Sequence, residues 1–208
     1  MTMIIALHLG AYVIVAADKR ETYQVNGEVV SILSDDVQKL IEWHGGVATG
    51  SGYVPLLSDF KVRLSKSDVS STNQIIEIAR ECFLGLPQEQ AGWIKYTNWL
   101  FTYTTDAPQG LVTRVAFIKS ASPESIGVLE EGRSLIWARM PDFESQLSRL
   151  NSLLRPERDL SNLRESLNYH LDVLAHLYSY VATVNSSVSA QFECFVHAPQ
   201  LSGMVPSA

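Results

Sequence analysis

The sequence predicts an α+β fold in which two antiparallel sheets pack against each other between layers of helix, a four-layer αββα sandwich over a single domain, 1–208. Three observations predict it. Strand-like and helical patterns arrive in blocks (strands, helices, strands, helices, strand) and not in strict alternation. The first twenty residues, MTMIIALHLGAYVIVAADKR, hold two apolar β-branched runs on either side of Gly10. A long segment, Asn162 to Thr183, repeats Leu163, Leu167, Leu171, Leu174, Leu177 and Val181 at helical spacing.

Met3 to Leu9 and Tyr12 to Ala17 read as adjacent strands, buried on at least one face, with Thr2 at a sheet edge. A second hairpin is expected around Asn26-Gly27, the dipeptide suited to a type I′ turn, between Tyr23–Val25 and Glu28–Val30. Val37 to Ile41 and Gly46 to Thr49 are two further short strands. A helix starts near Tyr53, and Ser71 or Thr72 caps a second whose Ile75, Ile76, Ala79, Cys82 and Phe83 face the core, ended by Gly85-Leu86-Pro87. Gln88 to Tyr96 suits a helical turn or two. Trp99–Thr104 and Leu111–Lys119 are strands, and Ser125–Leu129 and Ser134–Arg139 look like a hairpin around Glu130-Glu131-Gly132. Pro141 opens a helix carrying Phe143, Leu147, Leu150 and Leu154. After the long helix, Phe192, Cys194 and Val196 alternate with Glu193, Phe195 and His197 in a last strand, and about 198–208 is a Ser, Gly and Pro-containing tail.

At 208 residues and 46% hydrophobic, the chain can bury one substantial core. A net charge of -6, with no run of lysines or arginines, gives no reason to expect nucleic acid or a membrane surface as partner. Two cysteines, Cys82 and Cys194, argue against a disulfide framework and fit a reducing compartment. Met3 to Ala17 has the length of a secretory h-region, and Val15-Ala16-Ala17 resembles a cleavage site, which leaves open a secreted α/β binding domain. No basic residue precedes the run, however, and it is too short to span a bilayer. Cytoplasmic location is therefore the expectation.

Three stretches carry a resemblance. Met1-Thr2 followed by two apolar strands and Ala16-Ala17-Asp18-Lys19-Arg20 resembles the start of a proteasome β-type subunit, in the N-terminal-nucleophile (Ntn) hydrolase superfamily. Lys39-Leu40 with Gly45-Gly46-Val47-Ala48-Thr49-Gly50-Ser51-Gly52 resembles that family's lysine strand and its small-residue loop. Val184-Asn185-Ser186-Ser187-Val188 is similar to a late segment of the bacterial Anbu branch. The resemblance implies a threonine peptidase with Thr2 as nucleophile, exposed by removal of Met1, and with Asp18 and Lys39 as the charged pair beside it. It also implies self-association into a ring or stacked rings, and peptide or unfolded protein as substrate. No phosphate-binding glycine motif with lysine occurs, so any ATPase is a separate chain.

These residue types suit the chemistry that the resemblance implies. A hydroxyl needs a base, and an N-terminal threonine carries one in its own α-amine, which titrates near ~7.7–8.0 when unperturbed. An ammonium at Lys39 lowers that value, and Asp18 holds Lys39 charged. Backbone N–H groups around Gly50, Ser51 and Gly52 suit an oxyanion, and Ser187 is a candidate support near Thr2. Three readings compete with these roles. Asp18 ends a strand in solvent, Lys39 is a strand-edge lysine with Lys19 as the alternative, and Ser187 is a turn residue. Val184 stands where the family commonly has aspartate or serine, which favours a second function: a catalytically inactive subunit of the same fold with a structural or partner-binding role. No cofactor is expected. His170 and His176 are six apart on one helix and His8, His44 and His197 are isolated, so no metal site is expected either. Trp93, Trp99 and Trp137 read as core.

Overall fold

The computed structural model describes residues 2–25, 28–108, 110–119, 126–199 and 201–205; the side chains at 93, 201, 202, 204 and 205 fall outside that description. The twelve strands among the described residues are β1 (Ile4–His8), β2 (Val13–Asp18), β3 (Glu21–Val25), β4 (Glu28–Ser34), β5 (Ile41–Trp43), β6 (Gly46–Ser51), β7 (Asn98–Ala107), β8 (Gly110–Lys119), β9 (Ile126–Val128), β10 (Ser134–Trp137), β11 (Phe192–Ala198) and β12 (Leu201–Val205). The helices are α1 (Val54–Lys66), α2 (Thr72–Leu84), α3 (Phe143–Leu153) and α4 (Leu163–Val184), with a 3₁₀ helix over Gln88–Tyr96.

Two five-stranded antiparallel sheets form, in the orders β10-β1-β2-β11-β12 and β5-β6-β7-β8-β9, while β3 and β4 pair as a separate ribbon. Side-chain alternation divides the apolar residues of each sheet between its two faces. From the first sheet, Ile5, Leu7, Ile14 and Val196 join Leu150 of α3 and Leu174, Tyr178 and Val181 of α4 in one cluster. From the second, Ala48, Trp99, Phe101 and Ile118 join Phe60 of α1 and Ile75 and Ala79 of α2. A third cluster, including Ile4, Ala6, Val13, Val15, Val47, Leu100 and Val115, links the remaining faces of the two sheets. Full burial of each large aliphatic side chain stabilises the fold by about 1.5–3 kcal/mol. The apolar run that resembled a signal segment thus supplies β1 and β2, two adjacent inner strands of a five-stranded sheet.

The capping expectation for α2 is met by Ser71. Its hydroxyl accepts from Gln74 N–H while the Gln74 side chain returns to the Ser71 amide, a full capping box. Val25 and Glu28 close the β3–β4 ribbon, with the expected Asn26-Gly27 turn outside the described residues. This ribbon leaves Tyr23, Val25, Val30, Ile32 and Leu33 exposed. Trp99 is buried in the core and Trp137 packs against the inter-sheet cluster; the Trp93 side chain lies outside the description.

The structure differs from the sequence reading in three places. The Glu130-Glu131-Gly132 region is not a hairpin: β9 pairs with β8 in one sheet and β10 with β1 in the other, so the chain crosses between sheets there. The crossing is pinned by Leu129 N–H to Val115 C=O (2.9 Å) and by Gly132 N–H to His8 C=O (2.8 Å), and Gly132 adopts φ +71°. Ser125 lies outside the described residues. Val37 to Leu40 is irregular, and the strand begins only at Ile41. The expected last strand is present as β11 and is buried along all seven residues, because helices cover one face and the second sheet covers the other. The expected tail contains β12, which pairs with β11 from Cys194↔Val205 to Ala198↔Leu201.

Candidate functional site

Pairing of β1 with β2 sets Ile4 opposite Ala17, so the residues just before β1 run alongside the end of β2. There Asp18 N–H donates to Met3 C=O (3.0 Å), and Met3 N–H donates to Asp18 Oδ1 (2.7 Å). Thr2 is thereby held beside a carboxylate that is 0% exposed. That carboxylate has four donors: Oδ1 takes Met3 N–H and the Lys39 ammonium (2.9 Å), and Oδ2 takes Arg20 N–H (3.0 Å) and Ser189 N–H (3.3 Å). Three of the four are main-chain groups, so the strand end itself is shaped around the charge.

Lys39 reaches Asp18 across twenty-one residues of chain and also donates to Arg20 C=O at 2.7 Å. Burial is the largest influence on its ammonium and pushes its pKa below the ordinary lysine value; the adjacent Asp18 carboxylate opposes that effect. Arg20 is engaged elsewhere, in a two-point pair with Asp35 (2.6 and 3.0 Å) and on Ser186 C=O (3.0 Å). Lys19, the alternative lysine, pairs with Asp36. The geometry therefore brings Lys39, and not Lys19, to Asp18.

A pocket of about 220 Å³ opens at this place, and Thr2, Lys39, Thr49, Gly50 and Gly52 are among the residues lining it. The end of β6 supplies this wall. Gly52 lies just past the strand at φ +130°, and a Cβ there would fall 2.4 Å from Tyr96 C=O, so only glycine fits. Ser51 is buried and pairs with Asn98 across β6 and β7, away from the pocket lining. Thr49 faces the site and donates its hydroxyl to Lys39 C=O at 3.0 Å.

Ser187 lies between two residues that touch the cluster, Ser186, whose C=O accepts from Arg20, and Ser189, whose N–H donates to Asp18, while its own polar groups turn to Asn185. Its amide and hydroxyl both donate to Asn185 Oδ1 (3.0 and 2.7 Å), which makes it a turn residue after α4. Val184 ends α4 half-exposed. What the sequence reading missed is Ser189, whose backbone meets Asp18, and Glu193, whose carboxylate meets the Lys39 segment. A backbone contact leaves no side-chain signature, and in the sequence Glu193 is one alternating position of the last strand, with nothing local to link it to Lys39. No group of metal-ligating side chains occurs among the described residues. No described helix is long and apolar enough to cross a membrane.

No family model matches the chain. No curated protein matches it either. Among solved structures it is similar to a mutant of Anbu from Hyphomicrobium sp. strain MC1, with a TM-score of 0.65 and 14% identity over 99% of this chain and 85% of that one. The likeness spans nearly the whole chain at low identity, so it shows a relationship of fold to a bacterial proteasome-like protein.

Proposed function

We propose that this chain is a proteasome-like threonine hydrolase with the four-layer αββα arrangement, cleaving peptide bonds with Thr2 as N-terminal nucleophile once Met1 is removed. One observation carries the reading: a single buried carboxylate, Asp18, binds both the main chain next to Thr2 and the ammonium of Lys39, while Thr2 and Lys39 line the same pocket.

In this reading the free α-amine of Thr2 takes the hydroxyl proton as Thr2 Oγ1 attacks the substrate carbonyl carbon. The Lys39 ammonium lowers the proton affinity of that amine and favours the developing alkoxide, and Asp18 keeps Lys39 charged. N–H groups at Gly50, Ser51 and Gly52 are the proposed donors to the oxyanion, with Gly52 best sited because it lines the pocket beyond the strand pairing. The C–N bond then breaks, the leaving amine takes the proton from the Thr2 ammonium, and a threonyl ester remains. Water hydrolyses that ester with the same amine as base. The chemistry uses no cofactor or metal. The proposal extends to a cytoplasmic homo-oligomer of one or more rings, fed peptide or unfolded protein, with any ATPase as a separate partner.

A second reading, an inactive subunit of the same fold, is favoured by Val184, an apolar residue where the family resemblance implies a polar one, and by the engagement of the Ser187 hydroxyl with Asn185. The two separate on Thr2→Ala. In the hydrolase, cleavage of fluorogenic peptides by the processed chain falls to background; activity unchanged by the substitution overturns the assignment.

A further inference from the structure

We infer that Glu193 is the positioning residue that makes Lys39 available to Asp18, by supplying the acceptor that an irregular segment lacks. The inference takes its catalytic meaning from the hydrolase reading, but the geometry stands without it.

Residues 36–40 have no strand pairing, yet their main chain is tied at several points. Val37 N–H donates to Lys19 C=O (3.0 Å), Lys61 of α1 donates to Gln38 C=O, and Thr49 donates to Lys39 C=O (3.0 Å). Two further amides, Lys39 N–H and Leu40 N–H, converge on one oxygen, Glu193 Oε1, the second at 2.7 Å. Glu193 sits on β11 and is 8% exposed, so its carboxylate is committed to these amides and not to solvent. Two consecutive amides aimed at one carboxylate oxygen fix the direction of the chain between them. That direction points the Lys39 side chain toward Asp18 while Leu40 enters the inter-sheet cluster. A regular strand over these residues would have sent alternate side chains to opposite faces with ladder partners of its own; Glu193 replaces the ladder.

Trace acetylation with acetic anhydride, read by mass spectrometry of peptides and referenced to the exposed Lys66, reports the position of Lys39 whether or not the chain hydrolyses anything. Asp18→Asn serves as the released control. In folded Glu193→Ala, Lys39 should acetylate roughly tenfold faster than in the wild type, whereas Glu193→Gln, which retains an acceptor oxygen, should stay within about threefold. A folded alanine variant that labels at the wild-type rate, or a glutamine variant that labels as fast as Asp18→Asn, overturns the inference. Wild-type hydrogen exchange decides independently of any variant's folding: Lys39 and Leu40 amides should exchange at least ~100-fold slower than unprotected coil, and exchange at the coil rate overturns it. Failure of peptide hydrolysis alone would touch the functional reading and leave these outcomes unchanged.

Discussion

Strand β11 carries two buried polar side chains on its inter-sheet face, four residues apart, and they are used in opposite ways. At one end, Glu193 accepts from two main-chain amides close to the Asp18–Lys39 pair, so that end is built around charge. At the other, His197 lies between two threonines, with Nδ1 at 2.8 Å from Thr102 Oγ1 and Nε2 at 3.1 Å from Thr104 Oγ1. Val47 N–H donates to Thr102 Oγ1, so the hydroxyl proton is free for Nδ1 and the network is satisfied by a neutral imidazole. Both groups are pushed toward neutrality by burial, but two amide donors oppose the shift at Glu193 and no charge partner opposes it at His197, whose pKa falls to about 4. The difference teaches where this strand accepts a carboxylate: where main-chain donors converge on it.

The strongest way to break this contrast is to remove the charge at the site end. Asp18→Ala leaves the Lys39 ammonium and three amides without their acceptor, and the loss of unfolding free energy in urea at neutral pH should be about 3–5 kcal/mol. Acid probes the other end. The folded pKa of His197, about 4, lies below the unfolded value of 6.5, so its contribution is present above pH 6.5 and is lost as pH falls toward 4, by about 3 kcal/mol in all. Glu193 has the opposite sign, because a raised carboxylate pKa favours the folded state as pH falls through it. Stability measured between pH 7 and 4 should therefore decline much less in His197→Gln than in the wild type. Lys39→Met should cost less than Asp18→Ala, about 1–2 kcal/mol, since Asp18 keeps its three amide donors. The smallest effect is expected from Thr104→Val, about 1 kcal/mol, because it removes one partner of a neutral ring. Equal losses for Asp18→Ala and Lys39→Met would mean that the amides do not stabilise the carboxylate.

The same contrast explains what was legible in the sequence. Elements defined by their own residues were readable: the two apolar runs around Gly10, the Ser71-x-x-Gln74 cap, and the leucine stripe of α4. The core side of α4 was only partly so, since Ser166 and His170 are also buried there, where they meet the hydroxyl of Tyr12. Features defined by a distant partner were hidden. Glu130-Glu131-Gly132 has turn composition, and nothing local shows that its flanking strands belong to different sheets. Asp18 and Lys39 could be named from sequence, but their contact depends on Glu193, 154 residues beyond Lys39 in the chain. Ser187 was chosen for its hydroxyl, while the contact to Asp18 comes from the backbone of Ser189.

The central claim is that Thr2 is the nucleophile of this constellation. Its most direct test is the mass of the intact protein from its own host, before and after treatment with a peptide electrophile that traps N-terminal threonines, with the adduct located by fragmentation. The account predicts a chain that begins at Thr2 and gains one adduct, on Thr2, and that gains none in Thr2→Ala. A chain that retains Met1, or one that begins at Thr2 and stays unmodified there, would contradict it.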